Sequence, residues 1–121
     1  MLEEKLDIKN MIYDIRGKQV MLDSDLAKLY QIETKTFMQS VKRNIERFPN
    51  NFMFQLNENE FQSLRSQIVT SKRRGRRYNP YVFTEQGVAV LAGVLNSNVA
   101  IKISISIINN FVEMRNLWFI K

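Results

Sequence analysis

The stretch from Leu22 to Arg47, LDSDLAKLYQIETKTFMQSVKRNIER, limits the possible folds more than any other part of this chain. Leu26, Ala27, Leu29 and Tyr30 share one apolar face; Phe37, Val41 and Ile45, at i, i+4 and i+8, share another. This periodicity predicts two short amphipathic helices. Asp23 is expected to cap the first, with Asp25 in its first turn, where the helix dipole favours negative charge. Gln31-Ile32-Glu33 would form the turn, and Thr34 would cap a second helix that runs to Arg47 before Pro49-Asn50-Asn51 stops it. Facing away from Phe37, Val41 and Ile45 are Lys35, Thr36, Gln39, Lys42 and Arg43.

Around this pair the chain alternates short strand and helix signals. Met11–Ile15 and Gln19–Met21 read as two strands joined by Arg16-Gly17-Lys18, where glycine suits a tight hairpin turn. Phe52–Leu56 reads as a third strand, and Pro80–Phe83 as a fourth. Asn57 and Glu60 have the spacing of a capping box for a helix that buries Phe61, Leu64 and Ile68. Thr84 should cap a helix that buries Val88, Leu91 and Leu95, in which Gly87 and Gly93 would permit close packing. A last helix is expected from about Val99 to Trp118. It carries two apolar stripes: Ile101, Ile105, Ile108 and Val112, and Ile103, Ile107, Phe111, Met114 and Trp118. Two stripes need two partners. Either one faces the core and the other a second copy of the chain, which would make a homodimer through the C-terminal helix, or both are wrapped in one core. The apolar end Leu117-Trp118-Phe119-Ile120 adds weight to the first alternative. The expected architecture is a single α+β domain over residues 11–121. It has short antiparallel strands, a helix-turn-helix-like pair and a long C-terminal helix, behind a flexible N-terminus at residues 1–10. A chain of 121 residues suffices to bury a core of that kind.

Composition removes whole classes of chemistry. With no cysteine and no histidine, disulfides, zinc fingers, histidine–metal sites and Ser-His or Cys-His nucleophiles are all excluded. Asp23 and Asp25 begin a D-x-D pattern, but its sixth position is Lys28 and its twelfth Thr34, so it is not a calcium loop. Gly17-Lys18 lacks the earlier glycine of a phosphate loop. No enzyme activity, cofactor or metal is expected. The chain has neither a signal peptide's pattern nor an apolar run of transmembrane length, so a cytoplasmic protein without membrane contact is the expectation.

The charge is segregated. Residues 34–83 hold ten Lys or Arg against three Asp or Glu, whereas residues 1–33 hold five against seven. Such a field attracts polyanions. Its densest part is Lys72-Arg73-Arg74-Gly75-Arg76-Arg77, five cations in six residues, whose mutual repulsion an anionic partner would relieve. A helix pair with a basic second helix, followed by a basic loop, is a common way to grip duplex DNA. In that reading Ala27 is the small residue at the helix crossing. Gln31 stands where glycine often occurs. The second helix would enter the major groove. Gln39 can pair with adenine, and Arg43 with guanine or phosphate. The candidate DNA contacts are Lys35, Thr36, Gln39, Lys42, Arg43 and Arg47 from the helix, and Lys72, Arg73, Arg74, Arg76 and Arg77 from the loop. Tyr78 and Tyr81 would pack, or stack on unpaired bases if the partner were RNA. A protein-interaction module without DNA affinity is the main alternative.

The order and spacing of several short strings is similar to a known family. Ile12-x-x-Ile15-Arg16-Gly17-x-x-Val20-Met21-Leu22-Asp23-x-Asp25-Leu26-Ala27-x-Leu29-Tyr30 resembles the opening of the phage KilA-N/Bro-N superfamily. The branch it resembles is the N-terminal domain named after phage open reading frame six. The likeness continues through Val41-Lys42-Arg43-Asn44, Arg47-Phe48-Pro49, Phe52–Leu56, Leu64–Gln67 and Pro80-Tyr81-x-Phe83-Thr84-Glu85-Gln86-Gly87-Val88, and reaches about Arg115. It implies a DNA-binding domain of phage, large DNA viruses or prophage regions, often at the head of longer regulatory proteins that include antirepressor-like ones. The chain would then be a fragment of such a protein. No base-contacting set carries over.

Overall fold

The computed structural model describes residues 7–67 and 78–120, with side chains to Leu117. The expected hairpin is present: strands β1 (Tyr13–Ile15) and β2 (Lys18–Leu22) pair antiparallel, with Tyr13 opposite Val20. Arg16 and Gly17 both take positive φ, 57° and 75°, as a two-residue turn between twisted strands requires. Strands β3 (Met53–Gln55) and β4 (Tyr81–Phe83) complete a four-stranded antiparallel sheet in the order β1-β2-β4-β3.

Alternation along the strands gives the sheet two apolar faces. Met21, Met53 and Phe83 point into the main core, which is covered by helices α1 (Asp23–Tyr30), α2 (Thr34–Arg43), α4 (Glu85–Leu95) and α5 (Asn98–Ile120). Val20, Leu22, Phe54 and Val82 point the other way, onto Leu64 of α3 (Glu58–Arg65). The molecule is therefore an α+β fold, the class expected from the sequence, with its elements arranged in three layers.

Two helix starts follow the sequence closely. Asn57 Oδ1 accepts from the Glu60 N–H at 2.8 Å while the Glu60 carboxylate accepts from the Asn57 N–H, so both halves of the capping box form. The Thr84 hydroxyl accepts from the Gly87 N–H. Two others differ. Asp23 is the first residue of α1 and wholly buried: Oδ1 accepts from the Ser24 N–H at 2.7 Å, and Oδ2 from the N–H of Tyr81, 58 residues away, at 3.2 Å. Its carboxylate ties the helix to the sheet instead of standing at the cap position. Thr34 likewise lies inside α2, and the cap position belongs to Glu33, whose side chain makes no cap bond.

Further differences concern packing. A Cβ on Gly87 would meet the Phe52 carbonyl oxygen at 2.2 Å, so this glycine does permit close approach; Gly93 has nothing within 4 Å, and its expected packing role is withdrawn. Leu95 is only partly buried, as is Phe61, and Ile68 lies outside the described residues. At the N-terminus, Ile8–Met11 forms a 3-10 turn with Ile8 buried in the core, where the sequence suggested loose chain. In α5 the stripe with Ile107 and Phe111 faces the core, with Ile103 and Met114 at its edges. In the other stripe Ile101 and Ile105 face solvent. Leu117 is exposed too, and the side chains beyond it are outside the described set.

Candidate nucleic-acid interface

The α1–α2 pair is held by a tight turn. Gln31 takes φ 65° and ψ 40°, the left-handed conformation that glycine adopts without strain. The departure in residue type is thus no departure in geometry. The Ile32 N–H bonds to the Ala27 carbonyl at 3.0 Å, and Ile32 packs on the core beside the helix crossing. Phe37 stacks on Tyr30 with ring centroids 6.2 Å apart and meets Phe83 edge-on at 5.5 Å. With Met38 and Val41 also buried, the roll of α2 against the core is set.

That roll turns Lys35, Thr36, Gln39, Lys42 and Arg43 outward, and all five are exposed. At 100° per residue they fall within an arc of roughly 120°. The helix ends earlier than the sequence suggested. Asn44 leaves helical geometry at φ −121°, and its side chain bonds back to the Ser40 carbonyl at 2.9 Å. The chain then turns through a 3-10 segment, Ile45–Arg47. Ile45, expected in the core, is consequently 50% exposed, and Arg47 stands on this segment instead of on α2. Glu33 and Glu46 are exposed at the two ends of the helix.

Strand β4 meets this face. The Lys42 ammonium sits 5.4 Å from the centre of the half-buried Tyr81 ring. Tyr81 is the first residue of β4, and the chain leading into it is pinned: Gln55 Nε2 donates to the Asn79 carbonyl at 3.0 Å, and the Leu56 N–H to the Pro80 carbonyl at 3.0 Å. Tyr81 therefore packs, whereas Tyr78 is 51% exposed. The Lys42–Tyr81 contact was not foreseen in the sequence; only the basic spacing of α2 and the position of Tyr81 after the basic loop hinted at it. Lys72, Arg73, Arg74, Arg76 and Arg77 lie outside the described residues.

What marks this face is that its unpaired cations share one arc. Among the described residues Lys35, Arg43 and Arg47 have no ion pair, and the one contact of Lys42 is the Tyr81 ring. Three cations elsewhere are matched, whereas Lys18, Lys28, Arg65 and Lys102 have no ion pair among the described residues. Arg16 donates to both Glu60 oxygens, at 2.6 and 2.9 Å, with its guanidinium 4.3 Å from the Phe54 ring centre. This fork holds the Glu60 carboxyl below the usual carboxylate range and raises the Arg16 guanidinium further. Lys9 pairs with Glu113 at 2.5 Å, and Arg115 pairs with Glu85. Behind the α1–α2 pair, the Tyr30 hydroxyl bonds to that of Ser104 at 2.8 Å. Burial pushes the Tyr30 phenol up to about 12, with the Ser104 bond opposing. Among the described residues no set of three acidic side chains converges into a metal-binding cluster, and no helix is long and apolar enough to cross a membrane.

The described residues thus form a small α+β domain, an antiparallel sheet bearing a helix-turn-helix-like pair with an exposed basic helix face. The model of the ORF6N domain matches residues 10–94, and the chain belongs to that family. The matched span runs from the first 3-10 turn almost to the end of α4 and leaves out α5. Among curated proteins and among solved structures, none matches the chain.

Proposed function

We propose that this ORF6N domain is a non-enzymatic DNA-binding module of a phage or prophage-type regulator of transcription. It docks on duplex DNA through the outer face of α2. The observation that carries this reading is the concentration of Lys35, Lys42 and Arg43 on one exposed arc without acidic partners among the described residues. Lys35, Thr36 and Gln39 stand on the N-terminal half of α2, the part that reaches base edges when such a helix lies in the major groove. Arg43 and Arg47 stand nearer the phosphates. In this reading Lys72, Arg73, Arg74, Arg76 and Arg77 add phosphate contacts; only three residues of sequence lie between Arg77 and Tyr81, the residue under Lys42. Neutralising about five phosphates gives a log–log salt slope of roughly −4 to −5. A titration of the full chain against random duplex DNA tests this, and a slope near zero would defeat it.

A second reading, an antirepressor-like protein-interaction head, draws on one observation, the solvent-facing isoleucines of α5. Within the DNA-binding reading those residues suit a second copy of the chain.

A further inference from the structure

Buried Ala100, Ser104, Ile107 and Phe111 mark the face of α5 that the domain itself covers. Beside it run Ile101, Ile105, Ile108 and Val112, separated by steps of four, three and four. Ile101 is 43% and Ile105 57% exposed, and Ile108 and Val112 are half-buried. The average step of about 3.7 residues is close to the helical repeat, so the four side chains keep to one strip along the helix.

We propose that this strip forms a seam with the same strip of a second copy, antiparallel, about a two-fold axis crossing α5 between Ser106 and Ile107. The inference rests on the second-copy reading and not on DNA contact. The spacing itself supports it. Four-three-four reads the same in both directions, so the axis sets Ile101 against Val112 and Ile105 against Ile108 of the second copy. Self-complementarity of this kind is what a two-fold contact demands.

Charge selects the antiparallel sense. Lys102 and Glu113 lie on the same flank of the seam, within roughly 20° of each other around the helix. Like flanks meet in an antiparallel pair, so each Lys102 comes within about two residues of Glu113 of the second copy, a rise of about 3 Å. A parallel pair would hold them on opposite sides of the seam. Lys102 has no ion pair among the described residues, and Glu113, though bonded to Lys9, keeps 60% of its side chain exposed. The seam spans about 18 Å of helix. A contact this short falls at the small end of specific interfaces, so the dimer forms reversibly.

Sedimentation of the full chain without DNA, from roughly 1 to 100 µM, tests the proposal. The mass should rise to twice the monomer value. Ile105→Lys, at an exposed position, should leave the circular dichroism unchanged and raise the dissociation constant by about tenfold or more. Lys102→Glu and Glu113→Lys should each weaken the dimer, and the combined variant should restore it. A wild-type chain still monomeric at the highest concentration, or an Ile105→Lys chain that dimerises normally, overturns the pairing. Dimerisation without rescue in the combined variant overturns the antiparallel arrangement. Duplex affinity of the same samples keeps the two readings apart: full DNA binding by a monomer sinks the pairing alone, and a dimer without DNA affinity sinks the DNA reading alone.

Discussion

Arg16 and Arg43 carry the same group and serve different ends. Arg16 closes the hairpin turn, forks onto Glu60 and sits over the Phe54 ring, so its charge joins the β1–β2 turn to the start of α3. Arg43 stands on α2 with no carboxylate bonded to it among the described residues. A cation satisfied within the fold offers little to an external anion, because a phosphate must first displace its partner. A cation left in water gains by meeting one. Counting lysines and arginines along a sequence cannot make this distinction.

The contrast is open to attack at several points. The largest effect is expected from replacing Arg73, Arg74, Arg76 and Arg77 together with Ala. Duplex affinity should fall by two to three orders of magnitude, and the salt slope should flatten by about 3 to 4. Fluorescence anisotropy across a salt series measures both. If affinity holds, these arginines are no part of the interface. Next, Lys42→Ala or Arg43→Ala should cost about tenfold or less each and reduce the slope by about one.

Arg16→Ala is the opposing control. Affinity should stay within about twofold. A half-exposed fork of this kind contributes about 1 kcal/mol at most, so the midpoint of thermal unfolding should drop by only a few degrees. An Arg16 variant that lost DNA binding while remaining folded would erase the distinction. The smallest effect concerns pH. Because the folded-state value of Glu60 is depressed, its pairing stabilises fully above the ordinary carboxylate range and is lost as pH falls through that depressed value. The stability gap between wild type and Glu60→Gln, read by thermal melts, should therefore close as pH drops below about 4. A gap that widened in acid would contradict the sign of the shift.

Features read correctly from the sequence depend on neighbours a few residues apart. The Asn57–Glu60 box, the Thr84 cap, the Arg16-Gly17 turn and the Phe37/Val41 face all close within a single turn or hairpin. The misread ones depend on distant chain. Asp23 looks like a cap in sequence, where Tyr81, from whose N–H it accepts, is 58 residues away. Ile45 continued a perfect helical period, but Asn44 bonds to Ser40 and ends the helix. Gly87 and Gly93 look alike in sequence, but Gly87 is buried against Phe52 and Phe83 and Gly93 is exposed. Of the interface, the outward face of α2 was legible from its period, whereas the parking of Lys42 on Tyr81 was not.

The local elements, the apolar faces they must bury and the concentration of positive charge in the middle of the chain are all written in the order of residues. Short-range hydrogen bonding and side-chain periodicity specify these without reference to the rest of the fold. Only the tertiary structure decided which stripe of α5 enters the core, which cations find carboxylates, and that β4 delivers Tyr81 beneath Lys42. Each of these depends on segments brought together by burial of the two apolar faces of the sheet. The free energy of that burial is summed over the whole domain, and no single segment encodes it.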